Sequence, residues 1–443
     1  MMSDNRQPLG YGLTVLDLIQ KRLTYQTVVF VPEPELHQLP RGSEMSEKTA
    51  SESASTRAID VLEAAIPAKC EPEIGILEPA IANVYADAMR DLGIDVELWE
   101  VEPGRPSVVG HVKGTGGGKS LIFNAHLCSP ITEFNDWQSD PYKLDVRGGK
   151  IYGSGVADAR GGIVAMIAAA GELVKTPTAG DLYLGFGAGG EYGGQIGTKA
   201  IIEKKGITID GAIVCEATHL NTVYRERGAL FIRVDVTGVT GLSGGGVNAN
   251  HAALDLAIAL RSLDPGIVAA TKDAPSDVGP GALNINLMNG GTFYYNVPDR
   301  CVLFVDRRLG LYETPGPALE AIEVVIDQVR KQHPKATIES KLEATMPSCI
   351  TNSQSALANA VSSSIQSVTG MTPTVGGFRG FTEMAHFGVA GLDAVVCGPG
   401  DVDVIHRPNE HIDTDEFNKA IDVYYQTALD FTSQMRDIES MSE

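Results

Sequence analysis

The segment from residue 121 to 162 constrains the fold most. It places a histidine at the end of a predicted strand and an aspartate in the turn before a predicted helix. His126 follows the apolar run 120–125, which is typical of a strand buried on both faces. Asp158 lies in a glycine-rich turn, GSGVADARGG, ahead of the helical pattern 163–174. Open α/β folds build their sites at the carboxyl ends of their strands. The segment therefore predicts an α/β fold in which these two side chains meet at one sheet edge.

Three further side chains with metal-binding donors stand in the same relation to predicted strands. Glu191, Glu216 and His406 each come after an apolar run that ends at residue 186, 215 or 397. A lone histidine after a strand is more often structural than a ligand, but five nitrogen and oxygen donors at one sheet edge suit Zn, Mn or Co. We therefore expect one or two divalent transition-metal ions to be held by the whole set, which is His126, Asp158, Glu191, Glu216 and His406.

The order of motifs in this segment resembles the signature of the acetylornithine deacetylase, succinyl-diaminopimelate desuccinylase and aminoacylase family of metal-dependent amidohydrolases. The matching pieces are His126, Trp137, Asp140-Pro141-Tyr142, residues 148–155 and residues 158–162. The resemblance implies that Asp158 and Glu191 take part in catalysis as well as in metal binding. It also implies a zinc-exopeptidase-like fold, with a mainly parallel sheet covered by helices and an inserted ferredoxin-like α+β domain.

The pattern of predicted elements divides the chain in agreement with that resemblance. Strands and helices alternate from 120 to 225, which indicates a mainly parallel sheet covered on both faces. From residue 227 the order becomes strand, helix, two strands, helix and strand. We expect a catalytic domain in two parts, 1–226 and 346–443, and an inserted lid or dimerisation domain at 227–345. Within the first part, residues 1–55 are expected to form an N-terminal arm, with a helix at 13–23 and a flexible linker at 43–55.

Composition and charge restrict the partners and the compartment. The net charge of −21 argues against nucleic acid or an anionic membrane as a partner, because either needs a basic face. No run of about 18 apolar residues is present, and the N-terminus lacks the features of a secretory signal, so we expect a cytoplasmic protein. The six cysteines show no paired spacing and are predicted to be reduced thiols.

The resemblance also assigns substrate binding to particular residues. Family residues at the positions of Asn296 and Arg308 contact the carboxylate or carbonyl of the substrate, and a bidentate guanidinium suits a carboxylate. A surface ion pair is the equally weighted alternative for Arg308. Arg379 is a second candidate for binding an anion, whereas His386 and His411 are expected to be structural. We therefore expect a small carboxylate-bearing substrate, and a homodimer or higher homo-oligomer formed through the inserted domain.

Three positions depart from the family's pattern. Gly190 stands where the family has a glutamate that takes the proton of the attacking water. Cys128 replaces an aspartate that orients His126, and loss of such a contact typically costs about 10 to 100-fold in metal affinity or activity. Leu242 replaces a histidine that stabilises the oxyanion, for which His251 is an alternative. A metal lowers the pKa of its bound water toward about 7, so a site without these helpers suits a substrate that is already electrophilic.

Three functions follow from this combination, in order of preference. The first is a metal-dependent hydrolase that cleaves a C–N bond of a small carboxylate-bearing substrate, by hydrolytic deamination of an activated, 5-nitroanthranilate-like aromatic amine. The second is an N-acyl amino acid deacylase or dipeptidase that recruits a base from elsewhere. The third is a non-catalytic relative that binds metal or ligand. Under the first, Gly190→Glu is expected to restore the base and to raise any residual hydrolysis of N-acyl amino acids.

Overall fold

The first part of the chain contributes the elements that carry most of the predicted metal ligands. The computed structural model describes residues 50–70, 75–129, 136–190 and 196–436. The elements of this part, in chain order, are α1 Ala50–Ala65, α2 Pro79–Asp91, β1 Asp95–Glu102, β2 Arg105–Val112, β3 Leu121–His126, β4 Asp145–Arg147, β5 Lys150–Tyr152, α3 Gly161–Lys175, β6 Leu182–Gly187, α4 Gly197–Ile202, β7 Gly211–Val214 and β8 Thr222–Glu226. A wide helical turn, Val156–Arg160, precedes α3 and contains Asp158.

The chain then forms a second layer, which we call the inserted unit, and afterwards returns to the first layer. The second layer consists of β9 Ala229–Thr237, β10 Gly241–Leu242, α5 Ala249–Arg261, α6 Asp264–Ala270, β11 Ala282–Gly290, β12 Asn296–Val297, β13 Arg300–Arg308, α7 Pro315–Gln332 and β14 Thr337–Met346. The returning part consists of β15 Cys349–Ile350, α8 Ala356–Thr369, β16 Val375–Phe378, α9 Met384–Val389, β17 Asp393–Val396, β18 His411–Asp413 and α10 Thr414–Thr432.

A mixed sheet of nine strands organises the first and last parts of the chain. Its order is β1-β2-β6-β3-β7-β17-β8-β15, with β16 also paired to β8. The central strands β6, β3, β7 and β17 run parallel, and antiparallel pairs form both sides. β3, β6 and β7 are buried along their whole length, as expected for strands covered on both faces. The candidate ligands His126, which ends β3, and Glu216, which follows β7, are thereby brought to the same edge.

Helices on the two faces of this sheet give it two apolar cores. One core packs α1, α2, α3, α8 and α10 against the sheet, and α3 is buried at 12 of its 15 residues because α1 and α10 both cover it. The other core lies under α4 and α9. Residues 50–55, which we expected in a flexible linker, begin α1 instead. The rest of that linker and the expected helix 13–23 lie outside the described residues.

The second layer is a four-stranded antiparallel sheet in the order β11-β13-β9-β14, with α5 and α7 packed on one face. β9 alternates buried and half-buried residues, so that Leu230, Ile232 and Val234 enter a core of their own while Phe231 faces the other way. The order strand, helix, strand, strand, helix, strand is that of a ferredoxin-like unit. Among the described residues, no helix is both long and apolar enough to cross a membrane.

Two cysteines are bonded, contrary to expectation. Cys70 and Cys128 form a disulfide across 58 positions of sequence, with their Cα atoms 4.9 Å apart. An isolated antiparallel bridge between Cys70 and Ser129 brings the two segments together. The prediction of six reduced thiols is therefore wrong for this pair, because only the tertiary fold reveals its proximity. The free and buried cysteines of the described chain are Cys215, Cys301, Cys349 and Cys397.

We predict that Cys70→Ser lowers the free energy of unfolding by about 2–4 kcal/mol, because the bond restricts a long loop in the unfolded chain. Urea unfolding followed by circular dichroism measures the change. A reducing agent should destabilise the wild type by a similar amount and leave the variant unaffected. Equal stability of the wild type with and without reductant would contradict this prediction.

Candidate metal centre

The orientation of His126 is fixed by a backbone carbonyl. The side chain is at the carboxyl end of β3 and is only 5% exposed. Its Nδ1 lies 2.6 Å from the carbonyl oxygen of Cys128. A carbonyl can only accept, so Nδ1 carries the proton and donates it, which leaves the Nε2 lone pair free in the neutral ring. This is the tautomer that a metal ligand needs, with a polar partner on the second nitrogen.

Two carboxylates face that nitrogen. The Nε2 atom of His126 is 3.1 Å from Oδ1 of Asp158 and 3.3 Å from Oε1 of Glu216. All three side chains are buried. Ligand bonds of about 2.0–2.2 Å in tetrahedral geometry separate neighbouring donors by about 3.4 Å, which is close to the observed distances. The donor set and its spacing therefore fit a divalent transition metal.

His406 approaches the other oxygen of the same aspartate. Its Nε2 is 2.7 Å from Oδ2 of Asp158, whereas His126 faces Oδ1. Asp158 thus stands between two imidazoles, with one oxygen directed to each, an arrangement suited to a carboxylate that bridges two ions. The structure brings together four of the five predicted ligands, and Glu191 lies outside the described residues.

The pKa values of these groups reflect how closely they are packed. Burial disfavours the charged imidazole, but the carboxylates of Asp158 and Glu216 outweigh burial and raise the pKa of His126 well above its usual value. Burial likewise opposes ionisation of Asp158, but His126 and His406 outweigh it and hold the pKa of this carboxyl below its usual range. Burial, together with the charge of Asp158, raises the pKa of Glu216 to about 7. The cluster is an anionic site that a proton or a metal ion stabilises.

Two buried residues that sequence reasoning missed hold the turn of Asp158. The carboxylate of Glu410 accepts hydrogen bonds from the backbone amides of Gly155, Ala157 and Asp158, at 2.9, 2.8 and 3.2 Å. The guanidinium of Arg160 donates to the carbonyls of residues 65, 66 and 68, which anchors the other side of the turn to the end of α1. Glu410 follows His406 by four positions, and only that proximity in sequence could have indicated its role.

Cys128 supports His126 through its backbone rather than its side chain. The family's aspartate would have acted through its carboxylate, but here the sulfur of Cys128 is bonded to Cys70. The contact to Nδ1 comes from the carbonyl oxygen of the same residue. The orienting hydrogen bond is therefore kept although the aspartate is missing, and metal binding need not be weakened on that account.

Gly190 has a steric role that the sequence did not reveal. A Cβ added there would lie 2.3 Å from Cβ and 2.7 Å from Nδ1 of His126, closer than real side chains approach. The backbone is held at this position by the preceding residue, since Gly189 donates to the buried carboxylate of Glu78 at 3.0 Å, which is paired with Arg105. The expectation that Gly190→Glu restores a base is therefore wrong, because any side chain here pushes on His126 first.

The predicted substrate-binding residues lie in or next to the inserted unit. Arg308 forms two hydrogen bonds to Asp306, at 2.8 and 3.0 Å, so the ion pair considered for it is present. Asn296 pairs with Leu242 in the short ribbon of β10 and β12, beside a cleft of about 540 Å³. Leu242 is 77% exposed, and His251 is also exposed, at the beginning of α5.

His386 and His411, which were expected to be structural, and Arg379 differ in their surroundings. His411 accepts from Nζ of Lys150 at 2.7 Å and donates to the carbonyl of Asn409 at 2.8 Å, which is a structural role. His386 is half-buried in α9. Arg379 is exposed and lies near the carbonyl of Ser276, at 3.4 Å.

A buried histidine and two buried carboxylates at the carboxyl edge of the central parallel strands are typical of a metal-dependent hydrolase. Residues 125–430 match peptidase family M20/M25/M40, so the chain belongs to this family, whose members hydrolyse amide and other C–N bonds with divalent metal ions.

Relatives with different substrates are similar over most of the chain. An N-formyl-4-amino-5-aminomethyl-2-methylpyrimidine deformylase of Halalkalibacterium halodurans is 27% identical over 373 residues, covering 77% of this chain and 85% of the relative. A succinyl-diaminopimelate desuccinylase of Ruegeria is 27% identical over 332 residues, covering 71% and 80%. The structure of human carnosine dipeptidase 1 superimposes with a TM-score of 0.72 at 17% identity, covering 86% and 97%.

We predict that Gly190→Ala weakens metal binding by about 10 to 100-fold, because the new methyl group displaces the ring of His126 from its partners. Isothermal titration of the metal-free protein with Zn²⁺ measures the affinity. Gly316→Ala is the control for a glycine replacement, since a Cβ there meets nothing within 4 Å and the backbone is not in the left-handed region. Unchanged affinity in Gly190→Ala would contradict this prediction, because it would show that the backbone of this loop moves to make room for the methyl group.

Proposed function

We propose that the chain hydrolyses the C–N bond of a small aromatic amine that carries a carboxylate, by hydrolytic deamination of a 5-nitroanthranilate-like substrate. The observation that carries this choice is a cluster of two phenylalanines and three arginines between the inserted unit and the main sheet. We call it the aromatic–arginine cluster, and it consists of Arg227, Phe231, Arg308, Arg379 and Phe381.

The two rings and one guanidinium of this cluster are in mutual contact. The rings of Phe231 and Phe381 pack edge to face, with centroids 5.5 Å apart. The guanidinium of Arg308 lies 4.9 Å from the centroid of Phe381 and 5.7 Å from that of Phe231. Such a surface suits a planar ring with a negatively charged substituent, because ring faces and a flat cation are presented together.

The guanidinium groups of Arg227 and Arg379 add positive charge to the cluster. In the described structure their hydrogen bonds go to backbone carbonyls and not to carboxylates. Arg227 donates to the carbonyls of Arg379 and Pro280, the latter at 2.9 Å. Burial lowers the pKa of Arg227 to about 10, and the charges of Arg308 and Arg379 contribute to that shift. Asp306 is the acidic partner that the structure gives to Arg308. A carboxylate of the substrate would be attracted to this group of cations.

The cluster is connected to the metal centre through two short pieces of chain. Phe381 precedes the buried Glu383 by two residues, which limits their Cα atoms to about 7 Å apart. Arg227 follows Glu226, another buried carboxylate. The charges of His126 and Asp158 act on Glu383, and α9 packs against β7, which supports a position of this segment beside the metal ligands. A substrate of the size of a substituted benzoate could therefore contact the cluster and the metal centre together.

The chemistry expected of such a site requires a nucleophile, a fixed position for the substrate and a proton for the leaving amine. A bound divalent ion acidifies water so that a nucleophile forms near neutral pH. His126, Asp158, Glu216 and His406 would hold the ion, and the aromatic–arginine cluster would hold the ring and its carboxylate. Water oxygen then bonds to the electron-poor ring carbon, the C–N bond breaks, and the amine leaves after gaining a proton.

A deacylase or dipeptidase is the second candidate, and the relatives support it. Two of them are named for removing a formyl or a succinyl group from an amine. The same ligands and the same arginines would serve an N-acyl amino acid, whose carboxylate could bind to Arg308. A non-catalytic relative is the third, and the donor set at the described positions argues against it, since three of its members, His126, Asp158 and Glu216, are buried.

We also infer that the inserted unit carries the contact between copies in a homodimer. β11 is an edge strand of its sheet, with Leu287 and Met288 each 43% exposed. Leu254 and Ile258 of α5 are also half-exposed. An edge strand with apolar side chains is suited to pairing with a second copy.

We predict that the metal-loaded wild type deaminates nitro-substituted aminobenzoates and loses this activity on treatment with a chelator. Ammonia release, measured beside hydrolysis of N-formyl and N-acetyl amino acids, separates the first two candidates. Arg308→Lys keeps the charge but loses the planar fork, so it should raise KM by about tenfold, corresponding to roughly 1.4 kcal/mol, with a smaller change in kcat. Faster hydrolysis of the N-acyl amino acids would favour the deacylase, and no turnover of either class would favour the non-catalytic relative.

A further inference from the structure

Glu383 is a buried carboxylate that is not one of the candidate metal ligands. It immediately precedes α9 and is 1% exposed. Neither of its oxygens has a hydrogen-bond partner on any other residue in the part of the chain that the structure describes. A buried polar group without partners costs free energy, and a buried charge costs more. A residue of this kind is retained where the function requires it.

Other buried carboxylates of the chain show what a structural role looks like. Glu410 accepts three backbone amides around Asp158. Glu78 pairs with Arg105 and accepts from Gly189. In contrast to both, Glu383 stabilises no turn and neutralises no cation by direct contact in the described structure. A purely structural role therefore does not explain it.

The charged groups that face Glu383 belong to the metal centre and to one other carboxyl. His126 and Asp158 act on it from the end of β3 and from the turn before α3. Its own charge contributes to the raised pKa of Glu216, which follows β7, and of Glu226, which ends β8. Burial raises the pKa of Glu383, and the positive charge of His126 partly opposes that rise. α9, which Glu383 precedes, packs against β7, which leads to Glu216. No hydrogen bond joins this carboxyl to the metal ligands in the described structure.

The neighbouring threonine leaves Glu383 available. The hydroxyl of Thr382 donates to Oε2 of Glu226 at 2.8 Å and accepts from the amide of Met384 at 3.0 Å. Both of its interactions are therefore directed away from Glu383. A group that binds between the metal ligands and the aromatic–arginine cluster would meet a carboxylate to which no other described residue is hydrogen-bonded.

We propose that Glu383 transfers the proton of the attacking water to the leaving amine, in place of the side chain that is missing at Gly190. The water O–H bond breaks as its oxygen bonds to the substrate carbon, and the proton moves to a carboxylate oxygen of Glu383. As the C–N bond breaks, its electron pair stays on nitrogen and Glu383 returns the proton there. Water and substrate supply every atom of the products, so no further reactant is needed. The inference rests on the proposed function only in requiring that a C–N bond is hydrolysed.

The chain itself explains why the carboxylate comes from another segment. A side chain at residue 190 would collide with His126, so a base cannot be placed there while the ring keeps its position. Residues 382 and 383 lie on the loop between β16 and α9, on the side where Phe381 enters the cluster. A base on this loop approaches the substrate without moving His126.

The test is Glu383→Gln, which keeps the shape and removes the ionisable group. We expect kcat to fall by about 10² to 10⁴-fold with a much smaller change in KM. The affinity for Zn²⁺, measured by calorimetry, should stay close to that of the wild type. The melting temperature of the metal-free protein should be unchanged or higher, because a buried carboxylate without partners is replaced by a neutral amide.

Two matched variants separate a proton-transfer role from a structural one. Glu226→Gln makes the same change in the neighbouring buried carboxyl, and its loss of kcat should stay below the roughly 10²-fold that marks the removal of a proton relay. Glu410→Gln removes a carboxylate with three donors, so it should lower the melting temperature of the metal-free protein.

Two results would overturn the proposal. One is a lower melting temperature for metal-free Glu383→Gln together with nearly normal kcat in the loaded enzyme, which would mark a structural residue. The other is equal loss of kcat in Glu226→Gln and Glu383→Gln. The measurements use whichever substrate class the wild type hydrolyses, so a failure of the aromatic-amine assignment leaves this test intact. The melting temperatures can be read with no substrate at all.

Discussion

The hydrogen bond from Nδ1 of His126 to the carbonyl of Cys128 is the contact on which the site depends. It selects the tautomer, turns Nε2 toward Asp158 and Glu216, and sets the ring against the backbone of Gly190. The carbonyl is itself held in place, because the sulfur of Cys128 is bonded to Cys70. The backbone carbonyl of Cys128 thus replaces the aspartate side chain that the family has at this position.

A dense group of buried carboxylates surrounds this histidine, and the free-energy cost of burying them explains much of the local structure. Glu410 is stabilised by backbone amides and Glu78 by Arg105, whereas Asp158 is stabilised by two imidazoles. The partners of Asp158 are those that a metal ion would bind together with it, so the cluster is most stable when positive charge is added. Glu383 differs from the others because no donor on another described residue reaches it. The protein thus satisfies the carboxylates that shape the site and leaves one available for chemistry.

The sequence was sufficient to predict the fold and the proximity of four candidate ligands, because both follow from local patterns. Apolar runs such as 120–125 and 182–186 are typical of buried strands, and the carboxyl ends of parallel strands lie at one edge of a sheet. The ferredoxin-like insert was predictable for the same reason. What could not be predicted depends on contacts between distant segments. The Cys70–Cys128 bond, the steric role of Gly190 and the isolation of Glu383 arise from packing that no spacing of residues encodes. The backbone support of His126 is local, but it depends on the course of the chain after β3.

The most direct test of the account is a crystal structure of the metal-loaded protein with anomalous scattering recorded at the metal absorption edge. We predict one peak within ligand distance of Nε2 of His126, Oδ1 of Asp158 and Glu216, and, when a second ion binds, another between Oδ2 of Asp158 and His406. Cys70, Glu78 and Cys128 also lie close enough together to bind an ion if the disulfide is reduced. A peak at that second group with none beside His126 would contradict the account.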